Sequence, residues 1–127
     1  MANLDEFTRN LLNGKNFPVV ATASTDGRPA SSVIWAGVEE NSVIFVTGRN
    51  APKARNIERN PRVSLVVYDH DNPYKAAEIR GRAQLLDEDP QSKLDELAIK
   101  YTGETYGTAD GTVVVRITPE KVVPFDG

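Results

Sequence analysis

The segment Gly48–Arg62, GRNAPKARNIERNPR, gathers Arg49, Lys53, Arg55, Arg59 and Arg62 against one acid, Glu58. Five of the chain's 15 lysines and arginines thus fall within fifteen residues of a 127-residue chain whose formal net charge is -3. Their spacing is helical. Lys53 and Asn56 lie three apart, Arg55 and Arg59 lie four apart, and Ala54 and Ile57 are the apolar positions available for packing. Asn50 is placed as N-cap, with Pro52 in the first turn and the helix ending near Asn60. A helix N-terminus presents free N–H groups and partial positive charge, so Lys53 and a nearby Arg49 would complete a site for phosphate or carboxylate. The competing reading is a solvated helix whose cations neutralise an acidic surface or pair with acids on a partner chain.

Other residues capable of chemistry support less. Ser31, Val33 and Trp35 alternate on one face of a strand and Ser32, Ile34 and Ala36 on the other. One face could line a groove for a flat ring system while the other packs the core. Trp35 is read as a core or interface residue rather than a ligand contact. Tyr74, Tyr101 and Tyr106 could stack on a ring or donate to a carbonyl, but packing alone accounts for each. Glu78 and Arg80 share a face and fit an ion pair better than acid–base catalysis. His70, within DHDNP, is a solvated loop residue, and with Asp69 and Asp71 it would make only a weak metal site. Metal is therefore rejected as the main hypothesis, and no catalytic side chain is assigned.

Composition excludes several classes. Without cysteine there is no disulfide, thiolate nucleophile or Cys-ligated metal, and a single histidine leaves little support for a Ser-His catalytic arrangement. A pI near 5.2 argues against a nucleic-acid binder, although a local cationic patch still suits a small anion. No apolar run approaches the roughly 20 residues a membrane span needs, and the N-terminus MANLDEFTRN lacks the pattern of a signal peptide. The expectation is one cytoplasmic domain covering residues 1–127.

The elements that must position these residues follow from periodicity. Leu4, Phe7, Leu11 and Leu12 predict a short amphipathic helix with an Asn3–Glu6 capping box and a stop at Asn13-Gly14. FPVVATAST, PASSVIWAGV and SVIFVTG predict strands separated by turns at 26–28 and 39–41. RVSLVVYD and YKAAEIRGRAQLLD predict two more around HDNP, and TVVVRITPEKVV one or two further. DPQSKLDELAIKY predicts a helix capped by Asp89, with Leu94, Leu97 and Ala98 inward. Six or so antiparallel strands with three short helices make a small β-barrel, and the cationic segment becomes a helix-bearing crossover between two of its strands.

The motifs DGRP, K-x-R-N-x-x-R-x-P-R at Lys53 to Arg62, EIRG at Glu78 to Gly81 and KYTG at Lys100 to Gly103 resemble, over nearly the whole chain, the split β-barrel flavin and deazaflavin oxidoreductases. These are the pyridoxamine-phosphate-oxidase-like proteins, and the chain is most similar to their coenzyme F-420-dependent subgroup. The resemblance implies a mainly β, six-stranded antiparallel split barrel (the FMN-binding split barrel) and a homodimer with two cofactor sites at the subunit interface. It implies that the cofactor phosphate lies against Lys53, Arg55 and Asn56, beside Thr47, Gly48 and Arg49. The ring would lie along Ser31, Ser32 and Val33, with Tyr74 a further contact. Ala51 stands where some relatives carry another cation. The implied activity is hydride transfer from the reduced deazaflavin to an electron-poor double bond of a small molecule, the cofactor carrying the chemistry. FMN is the alternative cofactor, and a non-catalytic cofactor- or haem-binding protein of the same fold is the more distant alternative.

Overall fold

The computed structural model describes residues 2–126. Three helices, α1 (Glu6–Asn13), α2 (Pro52–Arg59) and α3 (Pro90–Thr102), accompany seven strands: β1 (Val19–Ala23), β2 (Pro29–Val33), β3 (Gly37–Glu39), β4 (Ser42–Gly48), β5 (Arg62–Asp69), β6 (Asn72–Leu86) and β7 (Thr112–Asp126). They form one antiparallel sheet in the order β2-β1-β5-β6-β7-β4-β3. The strongly β-branched strands alternate as expected. In β5, Val63, Leu65 and Val67 are buried while Val66 and Tyr68 face out. With Val20, Phe45, Ile79, Val115 and Ile117 they form the core that the sheet curls around. Among the described residues no helix is long and apolar enough to cross a membrane.

Seven strands replace the expected six because PASSVIWAGV is two strands, not one. The chain leaves the sheet at Ile34–Ala36, where the buried Ala36 bonds to side chains of α3 instead of a neighbouring strand. TVVVRITPEKVV, by contrast, is a single long β7.

Capping differs in two places. At α1 the carboxylate of Asp5 accepts from Thr8 N at 2.8 Å, so the cap is Asp5 and not the expected Asn3–Glu6 box. The amide of Leu4 is already taken by the side chain of Asn41. At α2 the N-cap is Ala51, which offers no side-chain acceptor, because Gly48–Ala51 closes a turn that places Asn50 one residue too early. Asp89 caps α3 as expected, and Gly103, at φ 85°, ends it in the left-handed conformation that glycine tolerates.

β2 lies at one end of the hydrogen-bonded order and β4–β3 at the other. The barrel is therefore open along a seam between β2 and β4, with the crossover helix α2 and helix α3 beside it.

Candidate functional site at the barrel seam

Two recesses meet at Lys53 on the first turn of α2. One, of about 210 Å³, is lined by Thr22, Ala30, Ser31, Ser32, Pro52 and Lys53. The other, of about 230 Å³, spans the seam between Val33, Ile34 and Trp35 on one side and Val46, Thr47, Leu94 and Leu97 on the other, again with Lys53. The first carries the Ser31 and Ser32 hydroxyls on an otherwise mainly apolar surface, and the second is polar and apolar in about equal measure. α2 is fixed over this place by its buried residues Ala54 and Ile57 and by Asn56, whose Nδ2 donates to the buried Thr22 Oγ1 at 3.0 Å. Asn56 thus positions Lys53 one turn earlier on the same helix face.

Five cations are half-buried: Arg9, Lys53, Lys93, Lys100 and Arg116. Arg9 donates to the Leu4 carbonyl, Lys93 and Arg116 to Glu39, and Lys100 to the carbonyls of Leu12 and Ala36. Lys53 has no protein partner among the described residues. Partial desolvation without a counter-charge is costly, so an anion at the seam would be favoured there.

Within one chain the five cations do not converge on a single recess. Arg55 lies roughly 200° around α2 from Lys53, on the opposite side of the helix. The Arg49 guanidinium turns toward Asp87, 3.8 Å away, in a third recess behind α2 that includes Glu58 and Leu85. Arg62 stands opposite Arg82 in the β5–β6 register, on the sheet face that carries Ser64 and Arg80. Tyr74 is 67% exposed at the start of β6 and lines neither recess at Lys53. The structure therefore joins Ser31, Ser32, Val33, Thr47, Lys53 and, through Thr22, Asn56. Gly48 ends β4 immediately after Thr47. Arg49, Arg55 and Tyr74 are directed elsewhere by helix pitch and strand position.

Trp35 belongs to the site's wall rather than to the closed core. Its indole stacks on Tyr101 with ring centroids 5.5 Å apart and 9° between planes, and Tyr106 meets it edge-on at 6.4 Å. The Tyr101 hydroxyl donates to the Asn16 carbonyl at 2.5 Å and accepts from Ala36 N at 3.3 Å. Lys100 Nζ donates to the Leu12 carbonyl at 2.5 Å and the Ala36 carbonyl at 2.6 Å. Burial lowers the Lys100 ammonium to about 8 and raises the Tyr101 phenol above its usual value, the latter partly offset by its bond with Ala36. These two residues escaped sequence reasoning as functional supports. The available signal was KYTG itself, a lysine and a tyrosine in the last turn before a helix-ending glycine.

Elsewhere, Arg80 holds the Glu78 carboxyl below its usual value from 2.9 Å along the same strand, and Ser64 Oγ donates to it across the sheet. This pair is structural, as its spacing suggests.

The pyridoxamine 5'-phosphate oxidase family matches residues 4–125. The chain belongs to this family. Among curated family members, pyridoxine/pyridoxamine 5'-phosphate oxidase of Rubrobacter xylanophilus is 43% identical over 65 residues, 50% of this chain and 30% of that protein. The enzyme of the same name from Kineococcus radiotolerans is 31% identical over 107 residues, 82% of this chain and 45% of that protein. This chain thus spans less than half the length of either relative. Among solved structures, an F-420 reductase superposes with a TM-score of 0.80 at 26% identity, covering 90% of this chain and 94% of that one. A conserved hypothetical protein from Mycobacterium tuberculosis superposes at 0.78 with 24% identity over 93% of this chain and 81% of that one, which is a likeness of fold. The pyridoxamine 5'-phosphate oxidase family contains oxidoreductases, and its split-barrel fold is the architecture described above.

Proposed function

We propose that this chain is a homodimeric oxidoreductase that binds the deazaflavin coenzyme F-420 along the barrel seam and reduces an electron-poor double bond of a small molecule. The observation that carries the reading is Lys53, a half-buried cation without a protein partner among the described residues, where two recesses meet. The residues present fit such a cofactor. Lys53 offers an ammonium to a phosphate, Ser31 and Ser32 offer hydroxyls beside it, and β2, paired only with β1, has a free backbone edge for the polar rim of a flat ring. When bound, a reduced deazaflavin supplies hydride. The chain's own part is to hold the anionic arm at Lys53, orient the ring against β2 and exclude water with Val33, Trp35 and Leu97.

The choice of F-420 rests on the likeness to the F-420 reductase over 94% of that chain. The names of the curated relatives favour a second reading, an FMN oxidase of the same site. Side-by-side titration of the purified protein with F-420 and with FMN separates them, tighter F-420 binding supporting the first and tighter FMN binding the second. Under either, Lys53→Ala should weaken the preferred cofactor by about 1–3 kcal/mol, roughly 5- to 150-fold. Unchanged affinity in the folded variant removes Lys53 from the site.

The dimer is supported by the outer sheet face. Val33, Val19, Val66, Glu78 and Val123 stand in one register row across β2, β1, β5, β6 and β7, with Tyr68, Ala76 and Phe125 in the row beyond. Val33 is 63% and Phe125 57% exposed. An exposed face this rich in apolar side chains, interrupted by the Glu78–Arg80 pair, suits association with a second copy of the chain, and it abuts the seam through Val33.

A further inference from the structure

We infer that the outer face of the sheet carries a second anion site, separate from Lys53, formed by Arg62, Arg80 and Arg82 and suited to a small polyanion bearing two or more phosphate or carboxylate groups. The inference is independent of which cofactor the seam takes. Three observations carry it. The first is register. Residues two apart on a strand share a face, so Arg62 and Ser64 on β5 stand together with Arg80 and Arg82 on β6. Arg62 is paired directly with Arg82 and Ser64 with Arg80, while Lys121 of β7 stands opposite Arg80 on its other side. Like charges directly opposite on neighbouring strands repel. Here two such pairs, Arg62–Arg82 and Arg80–Lys121, occupy adjacent rows in a chain whose formal net charge is -3.

The second is the lack of counter-charge. Among the described residues only Arg80 of the three has an acid, Glu78 at 2.9 Å, and the Ser64 hydroxyl completes that pair. The guanidinium groups of Arg62 and Arg82 make no salt bridge or hydrogen bond among the described residues, and Glu120, the one acid lining the recess, pairs with neither. Two planar forks left open side by side match the oxygens of a phosphate or a carboxylate. The third is shape. Toward β1 and β2 the arginines face Ala21, Ala23 and Pro29, whose short side chains leave a recess of about 550 Å³. That lies within the roughly 300–1,000 Å³ of small-molecule pockets and holds more than one oxyanion. The β6–β7 ladder shifts register between Arg80 and Gly81, where a Cβ would strike the Thr118 carbonyl. Such a bulge bends the strand and re-aims its neighbours, here Arg80 and Arg82. Arg80 lies one row, and the Arg62–Arg82 pair two rows, from the apolar row of Val33 and Val66. A second copy seated on the apolar rows therefore places the recess at the margin of that contact.

Pyrophosphate and citrate are the probes, with acetate at matched ionic strength as control, and the amide resonances of Ala21, Ala23 and Ser64 in ¹⁵N-labelled protein report on the recess. At least one probe should shift these resonances saturably, the tighter one assigning the group as phosphate or carboxylate, and acetate should not. Arg82→Gln should weaken the tighter probe about five- to fiftyfold, while Arg59→Gln, which removes an equal charge from the exposed last turn of α2, should leave it within about twofold. Because Arg82 faces a like charge, Arg82→Gln should melt no lower than the wild type in the absence of anion, and the tighter probe should raise the Tm of the wild type alone. Lys53→Ala should bind the probe as the wild type does. Absence of a saturable shift, equal loss in Arg82→Gln and Arg59→Gln, or loss in Lys53→Ala, which would put the anion at the seam, would each overturn the inference. So would conversion of Arg82→Gln from dimer to monomer with anion binding intact, since the arginines would then serve acids of the second copy.

Discussion

Replacing Tyr101 by Phe keeps the ring that stacks on Trp35 and deletes a single oxygen, so it tests whether that oxygen holds the β2–β3 connection out of the sheet. The hydroxyl bridges the Asn16 carbonyl at 2.5 Å and the amide of Ala36 at 3.3 Å. Ala36 is completely buried and Asn16 nearly so. A hydrogen bond of this kind contributes about 0.5–1.5 kcal/mol net, and stranding buried partners raises the cost to about 1–3 kcal/mol. The Ala36 carbonyl keeps its bond from Lys100, so the loss falls on the Ala36 N–H and the Asn16 carbonyl. For a domain of this length each kcal/mol moves the midpoint by roughly 3–5 °C, giving an expected fall of roughly 3–15 °C in Tm. Thermal unfolding followed by far-UV circular dichroism reads the stability. The near-UV band of the single tryptophan reads the connector, and it should weaken as Ile34–Ala36 gains freedom. An unchanged Tm together with an unchanged near-UV spectrum would refute the assignment of Tyr101 as the fastener.

Gly81→Ala should destabilise by about 1–3 kcal/mol or more, because a Cβ there would sit 2.2 Å from the Thr118 carbonyl oxygen at the β6–β7 bulge, where both neighbours are backbone; urea midpoints check it, and a wild-type midpoint would mean that the bulge relaxes freely. Lys100 carries a pH signature. Burial lowers its folded value to about 8, while the unfolded chain holds the proton up to about 10.4, so between these the unfolded state binds more protons and stability rises with pH. Urea midpoints measured at pH 7.5 and 9.5 should show that rise, and Lys100→Met should lose it. Val66→Glu places a charge in the exposed apolar row of β5 and should shift the protein from dimer to monomer by light scattering at micromolar concentration; a persistent dimer would move the interface elsewhere.

Most of the fold was legible because it is written in local chemistry. Alternating Val63, Leu65 and Val67, the turn at 26–28, and Asp89-Pro90 before Leu94 and Leu97 each specify their element without outside help. What was not legible depends on residues far away in sequence. The break at Ile34–Ala36 is made by Lys100 and Tyr101, more than sixty positions later, and β-branched residues on either side read as one strand. Within the site, the family resemblance groups Lys53, Arg55 and Asn56 with Arg49 beside them, and in the fold Lys53 and Asn56 share a face of α2 while Arg49 does not join them. The strand-ending turn at Gly48–Ala51 sends it to Asp87 instead. Arg55, two positions from Lys53, faces nearly the opposite way on α2, which helix pitch alone already implies.

The position of the site follows from the same break in β2. Had PASSVIWAGV continued as one strand, its free edge would have extended past Val33 and could have closed on β4, satisfying the backbone and leaving no recess. Diverting the chain at Ile34 instead leaves the β2 edge unpaired, which is a liability in a lone sheet because open edges recruit other chains. Three features of this protein offset that liability at one location. Helix α2, tied to β1 by Asn56 and Thr22, covers part of the opening. Trp35, fixed by Tyr101, walls another part. Lys53 places a charge beside the exposed edge and disfavours association with a second apolar strand. The same three groups are the ones a flat anionic ligand would meet, so the devices that keep an open barrel from aggregating also shape what it can bind.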